Sequence, residues 1–407
     1  MKRSILILIV FSLLPILSYA QMDGKDALNE RPQIKVLTFN IWGIIGAKHR
    51  MDRMDAIGKR IAEVDPDILA IEEAFEWRHR RKLLNSLQEA GYKYESKLYF
   101  RNVYGSGILF ISKYPVVESD FQQYRVLGGW KDIEWLGGKG IAYLRLDTPW
   151  GGLDFFHTHA IARMTPIFDE LGQYIPGDDK EVDRLLNMYQ IDRYVEGMRT
   201  GTSRSIIAAG DFNVSPEMLE YNFLMALTGF ESSFDTLHPG ENPSTFSVEN
   251  VFVDDDYSRI DHIFYKNYDA GEGFWVKPVE SRVTMDGTFE LPGKGTSVNY
   301  SDHYGLLTVF EVVTEEGAVE YSPEGVTGGK CLCKGCALPG VSGGTINLTE
   351  DNLGYWQGMA LKEYAESWRK EKRKNQVLIP LAEVVVAGSE DLPKQIELPA
   401  GAMEELK

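Results

Sequence analysis

Short apolar runs that stop abruptly on polar or charged residues recur along this 407-residue chain. Ile34 to Phe39 runs into Asn40, Asp67 to Ile71 into Glu72-Glu73, and Ser205 to Ala209 into Gly210-Asp211. Runs of this length predict buried strands. Further strands are expected at Gly107 to Ser112, Gly140 to Leu146, Leu153 to His157, Ile260 to Tyr265 and Tyr304 to Val312. Between them, apolar residues at helical spacing predict helices over Met51 to Val64 and Arg78 to Ala90, the second stopped by Gly91. Two more are expected at Lys180 to Arg199 and Pro216 to Ala226, where a proline start suits the first turn. Many strands with helices around them suggest an α/β fold of two packed sheets flanked by helices.

The strand ends carry the chemistry. In order they read Phe39-Asn40-Ile41-Trp42-Gly43, Glu72-Glu73, Thr158-His159, Gly210-Asp211-Phe212-Asn213, Arg259-Ile260-Asp261-His262 and Ser301-Asp302-His303. Strands that deliver such side chains to one sheet edge assemble an oxygen-rich hard-cation site with acid and base groups beside it. That set suits hydrolysis of a phosphate ester. A carboxylate closing the buried run at Glu72-Glu73 is costly unless paired with a cation, so this pair offers a candidate metal ligand. Glu72 alternates to the opposite side. The Asn40 amide oxygen can coordinate a cation or hold a water. Asp211 and Asn213 share one side of a tight turn, with Phe212 facing the core. His303 titrates near neutrality and suits a general base. His157, two positions before His159, reads as support or core, His262 as structural, and His49 and His79 as solvated. Lys139, in a Gly-rich turn, is either solvated or reaches a phosphate.

The ordered set resembles the endonuclease/exonuclease/phosphatase superfamily and, within it, the neutral sphingomyelinases. Three longer matches carry the narrower resemblance. They are Leu37 to Gly43 followed by Lys48 to Met54, Gly105 to Ile108 running into Ser112-Lys113-Tyr114-Pro115, and Gly138-Lys139-Gly140. In the last, a Lys follows an acidic residue by five positions; here that residue is Glu134, where the family more often has Asp. The resemblance covers roughly residues 33 to 312. It implies a four-layer α-β-β-α sandwich and a Mg²⁺-dependent phosphodiesterase acting on sphingomyelin or a related ceramide phosphodiester, with Mn²⁺ or Ca²⁺ as other possible ions. It further implies metal contacts from Glu73, Asn40 and Asp302, and Asp261 orienting His303. Asp211 would orient the attacking water, Asn213 and Lys139 would bind phosphoryl oxygens, and His159 would stabilise the phosphorane or protonate the leaving group. A nuclease of the same superfamily and an inactive lipid-binding protein are the competing readings; the intact residue set speaks against the second.

Charge and composition narrow the picture. Hydrophobic residues make up 43% of the chain, as a well-cored globular protein requires. The net charge of −17 is the wrong sign for a protein that grips nucleic acid through its phosphates, and it argues against simple electrostatic docking on anionic lipid. Residues 1–20 read as an export signal: Lys2 and Arg3, an apolar run from Ile5 to Leu17, then Ser18-Tyr19-Ala20 for cleavage near Ala20. The expected organisation is therefore this leader, a catalytic domain over 33–312 and an extension over 313–407, in a periplasmic or secreted protein whose mature chain has no membrane span. The extension carries Cys331, Cys333 and Cys336, spaced for one disulfide with a spare thiol or for a zinc site needing a fourth ligand. A helix is expected at Trp356 to Lys374 and a strand at Leu378 to Ala387. Phe274-Trp275 is a candidate for membrane entry or for strand packing.

Overall fold

A computed structural model describes residues 31–91, 95–99, 105–125, 137–162, 180–199, 202–254, 256–268 and 273–314, with the backbone of a few two- and three-residue strands beyond these. The export signal, Glu134, the cysteine cluster, and the helix and strand expected in the extension lie outside the described residues. Along the chain come β1 (Gln33–Asn40), α1 (Arg50–Val64), β2 (Ile68–Glu72), α2 (Trp77–Glu89), β3 (Glu95–Leu98), β4 (Leu109–Ser112), β5 (Val116–Gln123), β6 (Gly140–Thr148) and β7 (Gly151–His159). Then follow α3 (Glu181–Met198), β8 (Ile206–Asp211), α4 (Leu219–Thr228), β9 (Glu231–Ser232), α5 (Ser233–Leu237), β10 (Asp261–Lys266), β11 (Phe274–Thr284) and β12 (Gly305–Thr314).

The strands form two six-stranded sheets, ordered β11-β12-β1-β2-β4-β3 and β9-β10-β8-β7-β6-β5. Each is mixed: β1 runs parallel to β2 but antiparallel to β12, and β8 runs parallel to β7 but antiparallel to β10. Three apolar layers show how they stack. Ile34, Val36, Ile68, Ala70, Phe155, Ile207, Ala209 and Ile263 fill the space between the sheets. The alternate residues Leu37, Phe39, Leu69 and Ile71 pack with Met54, Ile57, Ile61, Leu83 and Leu87 of α1 and α2. On the far side Phe156, Ile206, Ala208 and Phe264 meet Leu185, Met188 and Ile191 of α3 and Phe223 and Leu224 of α4. Strands buried on both faces explain why these runs are apolar throughout rather than alternating. The result is the α-β-β-α sandwich.

Two expectations, the start of the fourth helix and the exposure of His79, need correction, and the alternatives for Phe274-Trp275 resolve to strand packing. The fourth helix begins at Leu219, not Pro216. Pro216 sits instead in the turn closed by Met218 N–H to the Ser215 carbonyl (2.9 Å), which carries the chain out of β8. Phe274-Trp275 opens β11, a strand whose Pro278, charges and bulge near Pro278/Glu280 mask its pattern. There Phe274 is buried and Trp275 Nε1 donates to the Tyr268 carbonyl (3.0 Å), so the pair serves packing. His79 is buried, not solvated, on the face of α2 that meets the core. No helix among the described residues is long and apolar enough to cross a membrane.

Candidate active site

Period-two alternation brings the polar residues together. On β1, β2, β7, β8 and β10 the residues that fill the inter-sheet layer have the same parity as Asn40, Glu72, His157, His159, Asp211 and Asp261. Where the apolar residues stop, these take their place at one end of the sandwich. Register then aligns them: Asp211 pairs across β8 with His159 on one side and Asp261 on the other, and Asn40 pairs with Glu72. Gly210 makes the first row possible. Its φ is 150°, and a Cβ there would lie 2.0 Å from the Thr158 carbonyl oxygen.

Asp211 is the hub. Its Oδ2 accepts from Asn40 Nδ2 across the gap between sheets (3.0 Å) and lies 3.4 Å from His159 Nε2 and 3.9 Å from His303 Nε2. Its Oδ1 accepts from the Asn213 backbone (2.9 Å), which fixes the Asp-Phe-Asn turn. Asn213 adopts the left-handed region (φ 53°), which Asn tolerates. Burial, then the neighbouring Asp261, raise the Asp211 carboxyl to about 6.

His303 Nδ1 lies 2.9 Å from Asp261 Oδ2, so Nδ1–H donates and Nε2 is left toward Asp211. Asp261 is itself held by backbone N–H to Thr245 Oγ1 (3.2 Å), and the His303 ring packs on Phe246 at 5.0 Å. Burial pulls the imidazole down, but Asp261, Asp211 and Asp302 outweigh it and hold the group well above its ordinary value. His159 goes the other way. Burial, then Lys139 and His303, hold it well below the ordinary range, so it is a neutral ring.

Glu73 follows the end of β2 with φ 57°, which breaks the alternation. Its Oε2 is enclosed without a hydrogen-bond partner, and burial, then Asp302, raise the carboxyl to about 7. Asp302 is likewise raised by burial and eased by His303 and Arg53. Lys139 is buried rather than solvated; its Nζ donates to the Ala160 carbonyl (3.2 Å), which also accepts from Asn213 Nδ2 (3.1 Å). All nine sequence-expected site residues thus fall in one region. Asn40, His159, Asp211, Asp261 and His303 are in contact, Lys139 and Asn213 meet at Ala160, and Glu73 and Asp302 join through charge.

The donor set fits a hard divalent cation. An enclosed carboxylate oxygen with no donor, here Glu73 Oε2, calls for a cation or a proton, and Asp261 Oδ1 is in the same condition. Among the described residues, ligand atoms of Asp211, Asp261 and His303 also lie within 4.8 Å of one another.

Some supporting residues are not visible as site residues in the sequence. Glu72 Oε1 lies 2.7 Å from His157 Nε2 and accepts from Thr38 Oγ1 (3.1 Å), all fully buried between the sheets. Burial drives Glu72 up and His157 down to about 3, so both prefer their neutral forms. The alternation on β2 and β7 is the signal that predicts this pair. Arg53 has no such signal: fully buried, it donates to the carbonyls of Ile41 (2.8 Å), Trp42 (2.8 Å), Lys48 (2.9 Å) and Tyr300 (3.0 Å), tying the segment after Asn40 to the one before Asp302. The Trp42 ring lies under this guanidinium (5.1 Å) and meets Phe252 at a tilt of 46°. His262 faces away and bonds to the Val214 carbonyl (2.7 Å), as a structural residue should.

Comparison with known proteins agrees with this architecture. The chain is 24% identical to an inositol phosphosphingolipids phospholipase C of Schizosaccharomyces pombe, over 73% of this chain and 74% of that one. It is 26% identical to a putative neutral sphingomyelinase of Drosophila melanogaster, over 79% and 70%. Its fold matches beta toxin from Staphylococcus aureus with bound magnesium ions at a TM-score of 0.52, with 16% identity, covering 68% of this chain and 99% of that one. The Endonuclease/Exonuclease/phosphatase family model matches residues 37–303, from the strand that ends on Asn40 to His303 itself. With the six strand-end clusters inside that span, the chain belongs to the Endonuclease/Exonuclease/phosphatase family, as a sphingomyelinase-like member.

Proposed function

We propose that this chain is an exported, metal-dependent phosphodiesterase that hydrolyses sphingomyelin or a related ceramide phosphodiester to ceramide and the phosphorylated headgroup. The observation that carries this reading is the His303–Asp261 pair aimed at Asp211, beside the enclosed Glu73 Oε2 that has no hydrogen-bond partner. The names of the two relatives differ in headgroup and share the sphingolipid, which favours a ceramide phosphodiester as the common substrate class.

Glu73, Asn40 and Asp302 would hold Mg²⁺, or Mn²⁺ or Ca²⁺ in its place. When bound, such a cation supplies Lewis-acid neutralisation of phosphoryl charge. His303 Nε2, in its neutral form, takes a proton from water as the water attacks phosphorus in line; Asp261 fixes the ring and stabilises the imidazolium that results. Asp211, pinned by Asn40 and the Asn213 backbone, orients that water. Asn213 and Lys139 donate to phosphoryl oxygens where negative charge grows. His159, neutral, donates to the pentacoordinate phosphate and guides the proton toward the leaving alkoxide.

The deciding experiment gives the purified protein and its His303→Ala variant sphingomyelin vesicles and single- and double-stranded DNA, with Mg²⁺ or EDTA. Mg²⁺-dependent phosphocholine release, absent in the variant and without DNA cutting, is the expected result. DNA cutting alone would move the function to a nuclease, against the net charge. Turnover of neither would point to other sphingolipid headgroups, then to an inactive lipid-binding protein.

A further inference from the structure

Eight large apolar side chains are conspicuously exposed among the described residues, and three of them are next in sequence to residues that meet at one guanidinium beside the candidate site. Ile45 (64% exposed) stands in the loop between β1 and α1, Met51 (47%) in the first turn of α1, and Trp77 (56%) at the start of α2. Arg50 joins the three segments that carry them: its Nη1 donates to the Ile44 carbonyl (3.1 Å) and pairs with Glu76 Oε2 (3.2 Å), next to Trp77. The loop is also seated against the candidate metal ligand, since a Cβ on Gly43 would lie 2.3 Å from the Glu73 carbonyl oxygen. The group is therefore part of the rim on the Glu73 side.

Its chemistry is that of a membrane interface. The Arg78 guanidinium lies 5.6 Å from the Trp77 ring centre, and Lys48 stands exposed in the same loop as Ile45. Trp with Arg and Lys around exposed Ile and Met matches residues that seat at the level of lipid headgroups, with apolar tips below and cationic heads at the phosphates. A net charge of −17 leaves little long-range attraction for an anionic surface, so apolar insertion is the term that remains.

We infer that Ile45, Met51 and Trp77 form a docking rim that seats this protein on a zwitterionic lipid bilayer, with the candidate site facing the headgroups. This rests on the proposed lipid substrate, because a bilayer is the partner that a phosphodiesterase of ceramide lipids must approach.

The test compares wild type with the double variant Ile45→Ser, Trp77→Ala. Sedimentation with pure phosphatidylcholine vesicles in EDTA reads docking without turnover. Release of phosphocholine from sphingomyelin in vesicles and in detergent dispersion, both with Mg²⁺, reads its use. Loss of two inserted side chains should weaken vesicle binding at least tenfold, lower vesicle turnover similarly, and leave detergent-dispersed turnover within about twofold. Thermal unfolding should be unchanged, since neither side chain packs in the core.

Equal vesicle binding by both proteins, or no binding by wild type, would overturn the inference. So would equal loss in the two activity assays, which would make these residues part of the substrate site. A wild-type dimer in gel filtration that the double variant abolishes would assign the rim to a second copy of the chain. If wild type binds vesicles through these residues but cleaves no sphingolipid, docking stands and the proposed activity falls.

Discussion

Two histidine–carboxylate pairs lie close enough in space to feel each other's charge, and they behave in opposite ways. His157 with Glu72 sits between the sheets at 2.7 Å, and His303 with Asp261 sits at the end of the sandwich at 2.9 Å. Both are buried. Burial pushes His157 down to about 3, whereas His303 is held well above the ordinary value. Distance to the partner does not distinguish them. Around His303 stand two further carboxylates, Asp211 and Asp302, and together with Asp261 they exceed the cost of burying a charge. Around His157 burial is the cause that decides. The inner pair is neutral and structural; the outer is built to hold a proton.

Removing the outer pair should have the largest effect. His303→Ala or Asp261→Asn is expected to cut sphingomyelin turnover per folded molecule by roughly 10²–10⁴-fold; an unaffected rate would dissolve the distinction. Next comes the cation. Saturating Mg²⁺ should stabilise wild type in calorimetry by about 2.7 kcal/mol at a hundredfold excess over Kd, and Glu73→Gln should lose most of that gain. If Glu73→Gln responds to Mg²⁺ as wild type does, Glu73 is not the ligand.

The inner pair should give the converse pattern. Glu72→Gln or His157→Leu is expected to destabilise the fold by about 1–3 kcal/mol in denaturant titration, while turnover per folded molecule changes less than tenfold. His262, next to Asp261 but on the opposite face, sharpens the contrast further. Burial, then Arg259, lower it to about 3 from the ordinary 6.5. Between those values the unfolded chain takes up a proton that the folded one refuses. Stability from this residue is therefore complete above about 6.5 and lost as pH falls toward 3, at a slope of about 1.4 kcal/mol per pH unit. His262→Gln should flatten that acid limb. Raised His303 has the opposite sign: its contribution is present below 6.5 and lost as pH rises through the folded value.

Strand ends were readable in the sequence because an apolar run has one way to stop at a polar residue, and alternation then says which side it faces. The placement of Asp211 follows from that rule, whereas the roles of Asn40, His159 and Asp261 needed the resemblance as well. Glu73 falls outside the rule: its left-handed backbone lies beyond the end of β2, and only the resemblance singled it out from Glu72. Arg53 was hidden because its partners are backbone carbonyls, which no side-chain pattern reports. The edge strand β11 escaped because Pro278 and a bulge interrupt its alternation. His79 looked solvated because its neighbours on α2 are basic, although its own face of the helix is buried.

The first sheet is sewn together from the two ends of the described domain. Its central strand β1 has β2, made soon after it, on one side and β12, the last-made strand of this sheet, on the other. Asp302 and His303 directly precede β12. During synthesis, then, the chain must hold an open strand edge until nearly the whole domain has emerged, and such long-range closure is slow. The same order means that no shorter nascent product carries His303. Asp302 and His303 therefore join Asn40 and Asp211 only when the last-made strand closes the sheet, so the candidate site is completed at the end of folding.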